Sequence, residues 1–108
     1  MNNLLNTATL DLSQNKEITE ILATGKNLRI ERIISTGQTT ASDFWYDQSE
    51  NEFVCILQGD AKLLIEDETE IHLKTGDYLL LPAHRRHKVT YTSTTPPCIW
   101  LTVFFNNE

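Results

Sequence analysis

After Asn27 every apolar run in the chain is short and ends at a glycine, a proline or a polar cluster. The runs read LRIERIIS, FWYDQ, EFVCILQ, YLLLPAH, RHKVTYT and CIWLTVFF. Between them, GDAKLLIEDETEIHLKTGD reads as turn, strand, acidic tip, strand, turn, and GQTTASD, SEN and STTPP are breaks. Runs of about four to eight residues suit strands, whereas helices need about ten or more with a sustained period. Short strands with this punctuation close into a sandwich or barrel, so the expected fold class is all-β.

Only SQNKEITEILATG carries a helical pattern. Ser13 is placed to cap it, Ile18, Ile21 and Leu22 fall at i, i+3 and i+4, and Gly25 can close it. The expected organisation is therefore a lead-in and short N-terminal helix over 1–27 and a barrel over 28–108, in one domain. A chain of 108 residues can bury one core of useful size. The formal charge of −6 argues against nucleic acid and anionic membranes as partners. Cys55 and Cys98 are too few for a disulfide framework and sit in apolar segments, so both are expected buried and reduced. The first residues lack a basic stretch followed by a long apolar one, and no apolar run reaches membrane-spanning length. A soluble, cytoplasmic protein is expected.

ENEFVCILQG and GDYLLLPAHRRH resemble the two motifs of the cupin superfamily. The first motif is G-x5-H-x-H-x3–4-E-x6-G, and Glu52 and Gly59 match its E-x6-G half. The second is G-x5-P-x-G-x2-H-x3-N, and Gly76, Pro82 and His87 match in spacing. The resemblance covers roughly residues 28–105 and is closest to small single-domain, cupin-2-type proteins carrying WYDQ and PAH-x-RH segments. It implies a small cupin-type β-barrel, a double-stranded β-helix or jelly roll, that commonly forms homodimers. It also implies a divalent metal held by histidines and a glutamate. The first motif is degenerate, because its H-x-H pair is missing. Counting back from Glu52, the longer spacing puts Trp45 and Asp47 at those positions, and the shorter puts Tyr46 and Gln48 there. In the second motif His84 replaces glycine and Tyr91 replaces asparagine.

Side chains at i and i+2 of a strand share a face. That rule puts His87, Val89 and Tyr91 on one face, and Glu52, Val54 and Ile56 on one face of another strand. With the motif residues inward, Asp47, Glu52 and His87 are the expected metal ligands. One imidazole and two carboxylates suit Fe(II), Mn(II), Ni(II) or Zn(II) without choosing among them. Trp45, His84, Arg85 and Tyr91 are the expected substrate-pocket residues. In PAHRRHKV, Pro82 ends one strand, His87 enters the barrel, and Arg85 and Arg86 stand near the mouth, where a guanidinium fork would favour a small anionic guest. Plainer readings stand beside these. Glu52 can be a solvent-facing strand start, Asp47 a turn residue, His87 an unmetallated pocket residue, and both arginines solvated partners of the acidic excess. His72 is expected at the surface.

The leading expectation is a metal- and small-molecule-binding cupin, with a metal-dependent dioxygenase, isomerase or lyase as its enzymatic form. The alternatives are a metal-free binding or sensing module and a barrel that serves only to dimerise. A homodimer is expected, since CIWLTVFF and FVCILQ are apolar on both faces and need cover on each.

Overall fold

Ala61, Leu63 and Ile65 are buried while Lys62 and Leu64 between them are half-buried, the period-two pattern of a strand with one face on a core. The same alternation organises most of the chain. The computed structural model describes residues 1–107, and among these it forms eight strands. They are β1 (Ile18–Gly25), β2 (Leu28–Ser35), β3 (Asn51–Gln58), β4 (Asp60–Ile65), β5 (Glu70–Lys74), β6 (Tyr78–Leu81), β7 (His87–Thr92) and β8 (Cys98–Phe105). One sheet has the order β1-β2-β8-β3-β6 and the other β5-β4-β7, with antiparallel neighbours throughout. Their inner faces meet in a single core. Val54, Ile56, Leu81, Cys98 and Trp100 come from the larger sheet, and Ala61, Leu63, Ile65 and Leu73 from the smaller. Each large aliphatic side chain buried there contributes about 1.5–3 kcal/mol, so this seam holds the two sheets together. The all-β barrel expected from the sequence is the fold observed.

The N-terminal segment differs from its expected form. Its helix is a three-residue 3-10 turn, Leu12–Gln14, and the residues expected to prolong it form β1, paired with β2. Asp11 caps the turn: its carboxylate accepts the Ser13 N–H at 3.0 Å. Ile18, Thr19, Ile21 and Thr24 are β-branched and stiff at χ1, which suits a strand, and β2 offers them a backbone edge. The pairing register shifts between Ile21 and Ala23, so the neighbouring Ile21 and Leu22 that mimic a helical stripe mark an irregularity in a strand.

The outer face of the larger sheet is apolar apart from the Arg32–Glu20 ion pair. By register, Ile30, Leu101, Phe53 and Leu80 belong to it, as do Val103, Cys55 and Tyr78. Leu80 and Tyr78 are exposed and the others half-buried. Among the described residues no helix is long and apolar enough to cross a membrane.

Candidate functional site

His87 begins β7 and lies between the sheets, 6% exposed. Its Nδ1 is 2.8 Å from the Arg85 carbonyl oxygen. A carbonyl only accepts, so Nδ1 carries the proton and Nε2 is left facing Glu52 Oε1 at 3.6 Å. Glu52, in β3, is mostly buried on the facing sheet. Tyr46 meets His87 in an antiparallel bridge: its N–H donates to the His87 oxygen at 2.8 Å, and the His87 N–H donates back at 3.1 Å. Residues directly opposite each other in such a pair share a face, so the Tyr46 ring also turns inward and stacks on the imidazole at 5.5 Å. Two residues on, Gln48 falls on the same side, and its Nε2 donates to Glu52 Oε1 at 3.3 Å. Gln48 Oε1 is buried and has no hydrogen-bond partner.

The fold therefore uses the shorter motif spacing. Tyr46 and Gln48 line the cavity, while Trp45 and Asp47 do not. Asp47 is at the rim, where its Oδ1 meets His84 Nδ1 at 2.7 Å, and both side chains are largely exposed. It does not join Glu52 and His87. Trp45 lies beneath the cations of Lys88, 4.2 Å from its ring centroid, and Arg86, at 5.7 Å. Tyr91 is displaced by an irregularity in the pairing of β4 with β7. Leu63 pairs with Val89, but Lys62 pairs with Tyr91, so β7 holds an extra residue and its parity flips after Val89. Tyr91 thus turns outward beside Lys62, whose Nζ is 5.7 Å from its ring centroid. His84 adopts a left-handed backbone, φ 63°, and stays on the rim. Arg85 pairs with Glu68 and Arg86 with Glu66, each at 2.6 Å. His72 is partly exposed and pairs with Asp60 at 2.7 Å.

The cavity has a volume of about 230 Å³. Besides Tyr46, Gln48, Glu52 and His87, its polar lining comprises Glu17, Thr19, Glu31 and Thr102, and no lysine or arginine lines it. Sequence reasoning missed these four. A signal existed for Thr102, which lies on the same face of β8 as Trp100 and Phe104, a hydroxyl in an otherwise apolar row. Glu17 gave none, because it precedes a strand that looked helical.

Burial and the site's carboxylates together set its electrostatics. Burial raises the Tyr46 phenol, the charge of Glu17 and then that of Glu52 raise it further, and only a hydrogen bond with Thr40 opposes them. Burial pulls the His87 imidazole down, but Glu52 and the Arg85 carbonyl outweigh it, and the pKa stands above the ordinary histidine value. A raised folded pKa means that the folded state holds its proton more tightly than the unfolded chain does. The stabilisation is complete below the unfolded value, about 6.5, and is lost as pH rises through the raised value. With a chelator present, the protein's melting temperature is expected to fall over that window. His87→Gln should flatten that part of the profile, and an unchanged profile would remove His87 as its source.

A family model described as the cupin domain matches residues 31–104. The chain belongs to the cupin family. This cupin is similar to a structure from Ralstonia eutropha JMP134, provisionally described as a mannose-6-phosphate isomerase. The two share 36% identity over 98% of this chain and 97% of that one, with a TM-score of 0.90. A cupin superfamily protein from Desulfitobacterium hafniense DCB-2 shares 20% identity over 91% and 84% of the two chains, TM-score 0.74. A protein of unknown function from Streptococcus pyogenes shares 22% over 99% and 94%, TM-score 0.70. These last two show the shared fold alone. No curated protein matches the chain.

Cupin motifs imply a divalent metal at this place, and the residues can be tested against one. Among the described residues no three His, Cys, Asp or Glu side chains converge as a metal-holding group. A third donor would be the amide of Gln48. Gln48 Oε1 lacks a partner, and its amide group contacts Glu52, which faces His87 Nε2. A buried acceptor without a donor is costly, and a cation would satisfy it. The His87 Nδ1–H bond to a backbone carbonyl is the usual outer support of a metal-binding imidazole. Gln48, Glu52 and His87 therefore fit a divalent ion, with Gln48 in the place expected of Asp47.

Proposed function

We propose that this cupin holds a divalent metal ion at Gln48, Glu52 and His87 and binds a small polar molecule beside it. The observation that carries the proposal is the buried, orphaned Gln48 Oε1, on an amide whose Nε2 contacts Glu52, the residue that faces His87. Two oxygen donors to one nitrogen favour Mn(II) or Fe(II) over the softer ions. Bound there, such an ion supplies Lewis-acid polarisation of an oxygen on the guest. Tyr46 supports the His87 ring by stacking, and Trp100 and Leu63 wall the cavity with apolar surface. The likeness to a protein described as a mannose-6-phosphate isomerase raises the question of a sugar phosphate. A phosphate would meet Glu17, Glu31 and Glu52 with no lysine or arginine in the lining, so we do not extend that substrate to this chain. Arg85 and Arg86, which suggested an anionic guest, are paired with glutamates outside the cavity. We further propose a homodimer through the apolar outer face of the larger sheet.

Melting curves of untagged protein test the metal centre. At about tenfold excess over Kd, an ion bound only by the folded state adds about 1.4 kcal/mol, a rise of several degrees. Mn(II) or Fe(II) should give that rise, His87→Ala should abolish it, and Gln48→Leu should weaken it. Asp47→Ala should leave it intact. If none of Mn(II), Fe(II), Ni(II) and Zn(II) shifts the curve, the cupin is a metal-free binding module.

A further inference from the structure

The wall formed by β1, β2 and β8 has no role in holding the metal, yet it is polar. Glu31 of β2 is 9% exposed, and Thr102 of β8 is 1% exposed. Thr102 lines the cavity, and its buried Oγ1 has no hydrogen-bond partner. At the mouth, just before β1, Glu17 accepts the Ser35 hydroxyl at 2.9 Å, and among the described residues no cation pairs with it. Glu31 is met by Arg29 at 2.6 Å, but Arg29 does not line the cavity. Three carboxylates thus line a space whose only basic side chain, among the described residues, is His87. An isolated buried hydroxyl costs about 1–3 kcal/mol, and a valine of the same shape would avoid that cost. With threonine there, the chain holds an unused hydrogen-bonding group in the cavity lining.

We infer that this wall is a subsite for a primary ammonium group, and that the small molecule bound by this cupin is an organic amine in its cationic form. The inference rests on the proposed small-molecule cavity and names the chemistry of its guest. An ammonium has three N–H donors, matching an acceptor at Glu17, one at Glu31 and the free Thr102 hydroxyl. Charge-assisted bonds of this kind are about twice as strong as neutral ones, so a hydroxyl in the same place is bound less well. A carboxylate or phosphate is repelled by the same groups.

Calorimetry and melting curves with n-butylammonium, n-butanol and n-butyrate separate these cases, because the three probes share one alkyl chain. Butylammonium should bind about tenfold or more tighter than butanol, and butyrate should not bind measurably. Glu17→Gln, at an exposed position, should weaken butylammonium about tenfold while leaving the Mn(II) shift unchanged. Thr102→Val should weaken the amine and raise the melting temperature of the free protein, an opposition that a purely structural threonine would not produce. Equal binding of butanol and butylammonium, tighter binding of butyrate, or an unaltered amine affinity in Glu17→Gln overturns the inference. A Mn(II) shift without amine binding overturns it and leaves the metal reading standing. Amine binding without a Mn(II) shift supports it and removes the metal.

Discussion

Gly59→Ala is expected to destabilise the barrel by about 2–5 kcal/mol, enough to unfold much of a domain whose total stability is about 5–15 kcal/mol. Gly59 closes the E-x6-G spacing and stands between β3 and β4, where the chain leaves one sheet for the other. Its φ is +75°, a left-handed backbone that costs a residue with a Cβ about 1–2 kcal/mol. Space is the larger obstacle. A Cβ there would overlap Ser93 Oγ and press on Cys98 Cα and the Pro97 oxygen, each at 3.1 Å. Ser93 is not free to turn away without loss, because its Oγ accepts the Asp60 N–H at 3.2 Å. The Pro97 and Cys98 atoms are backbone and cannot yield separately. Gly76, the first residue of the second motif, has φ +91° but nothing within 4 Å of its Cβ position. Gly76→Ala should therefore cost only the conformational term, about 1–2 kcal/mol. Urea titrations of the two variants check the difference, and equal losses would show that crowding at Gly59 is not the cause.

Leu101→Asp is expected to halve the mass measured by light scattering, from twice that of the chain to that of the chain. Leu101 lies mid-sheet on the outer face, opposite Arg32 on one side and Cys55 on the other. Around it Ile30, Phe53, Val103, Tyr78 and Leu80 make a surface too apolar to be left in water without consequence. In the proposed dimer a second copy presenting the same face would cover it as an isologous pair. A carboxylate placed at its centre would be buried beside Arg32, whose guanidinium is already held by Glu20 and the Leu4 and Asn6 carbonyls, weakening association by about 3 kcal/mol, or ~100-fold. The side chain is half-buried and points away from the core, so the barrel itself should persist. The two cysteines give an independent readout. Cys55 is half-buried on this face and Cys98 is fully buried. Burial, then the charges of Asp60 and Glu17, push the Cys98 thiol up to about 12, so it should stay inert until the protein unfolds. Cys55 should react slowly in the native protein and quickly in Leu101→Asp. A native protein that scatters as a single chain, with Cys55 reacting fast, would end the dimer proposal.

How much of this was legible beforehand depends on how far each inference had to reach. Short apolar runs cut by Gly, Pro and polar residues are a local property, and they sufficed for an all-β barrel. The E-x6-G and G-x5-P-x4-H spacings likewise carried Glu52 and His87 to the same place, because each motif fixes its own turn and the strand beside it. The other expectations failed where parity had to be carried across an irregularity. Tyr91 follows His87 by an even count, but the extra residue in β7 turns it outward. Trp45 and Asp47 were preferred to Tyr46 and Gln48 because the FWYDQ segment alone does not say which face is inward. The backbone bridge between Tyr46 and His87 decides that. The helix expected from SQNKEITEILATG rested on three apolar residues, and the free edge of β2 converts them to a strand. That strand and its neighbour then bring Glu17 and Glu31 to the cavity that Thr102, from the far end of the chain, also lines. The sequence by itself determined the all-β class and the placement of the two motif residues Glu52 and His87, since both follow from side-chain period and turn chemistry within about ten residues. Only the tertiary structure decided that the cavity is lined by carboxylates and an unpartnered hydroxyl, because the sign of a pocket is a sum over strands that meet only when the barrel closes.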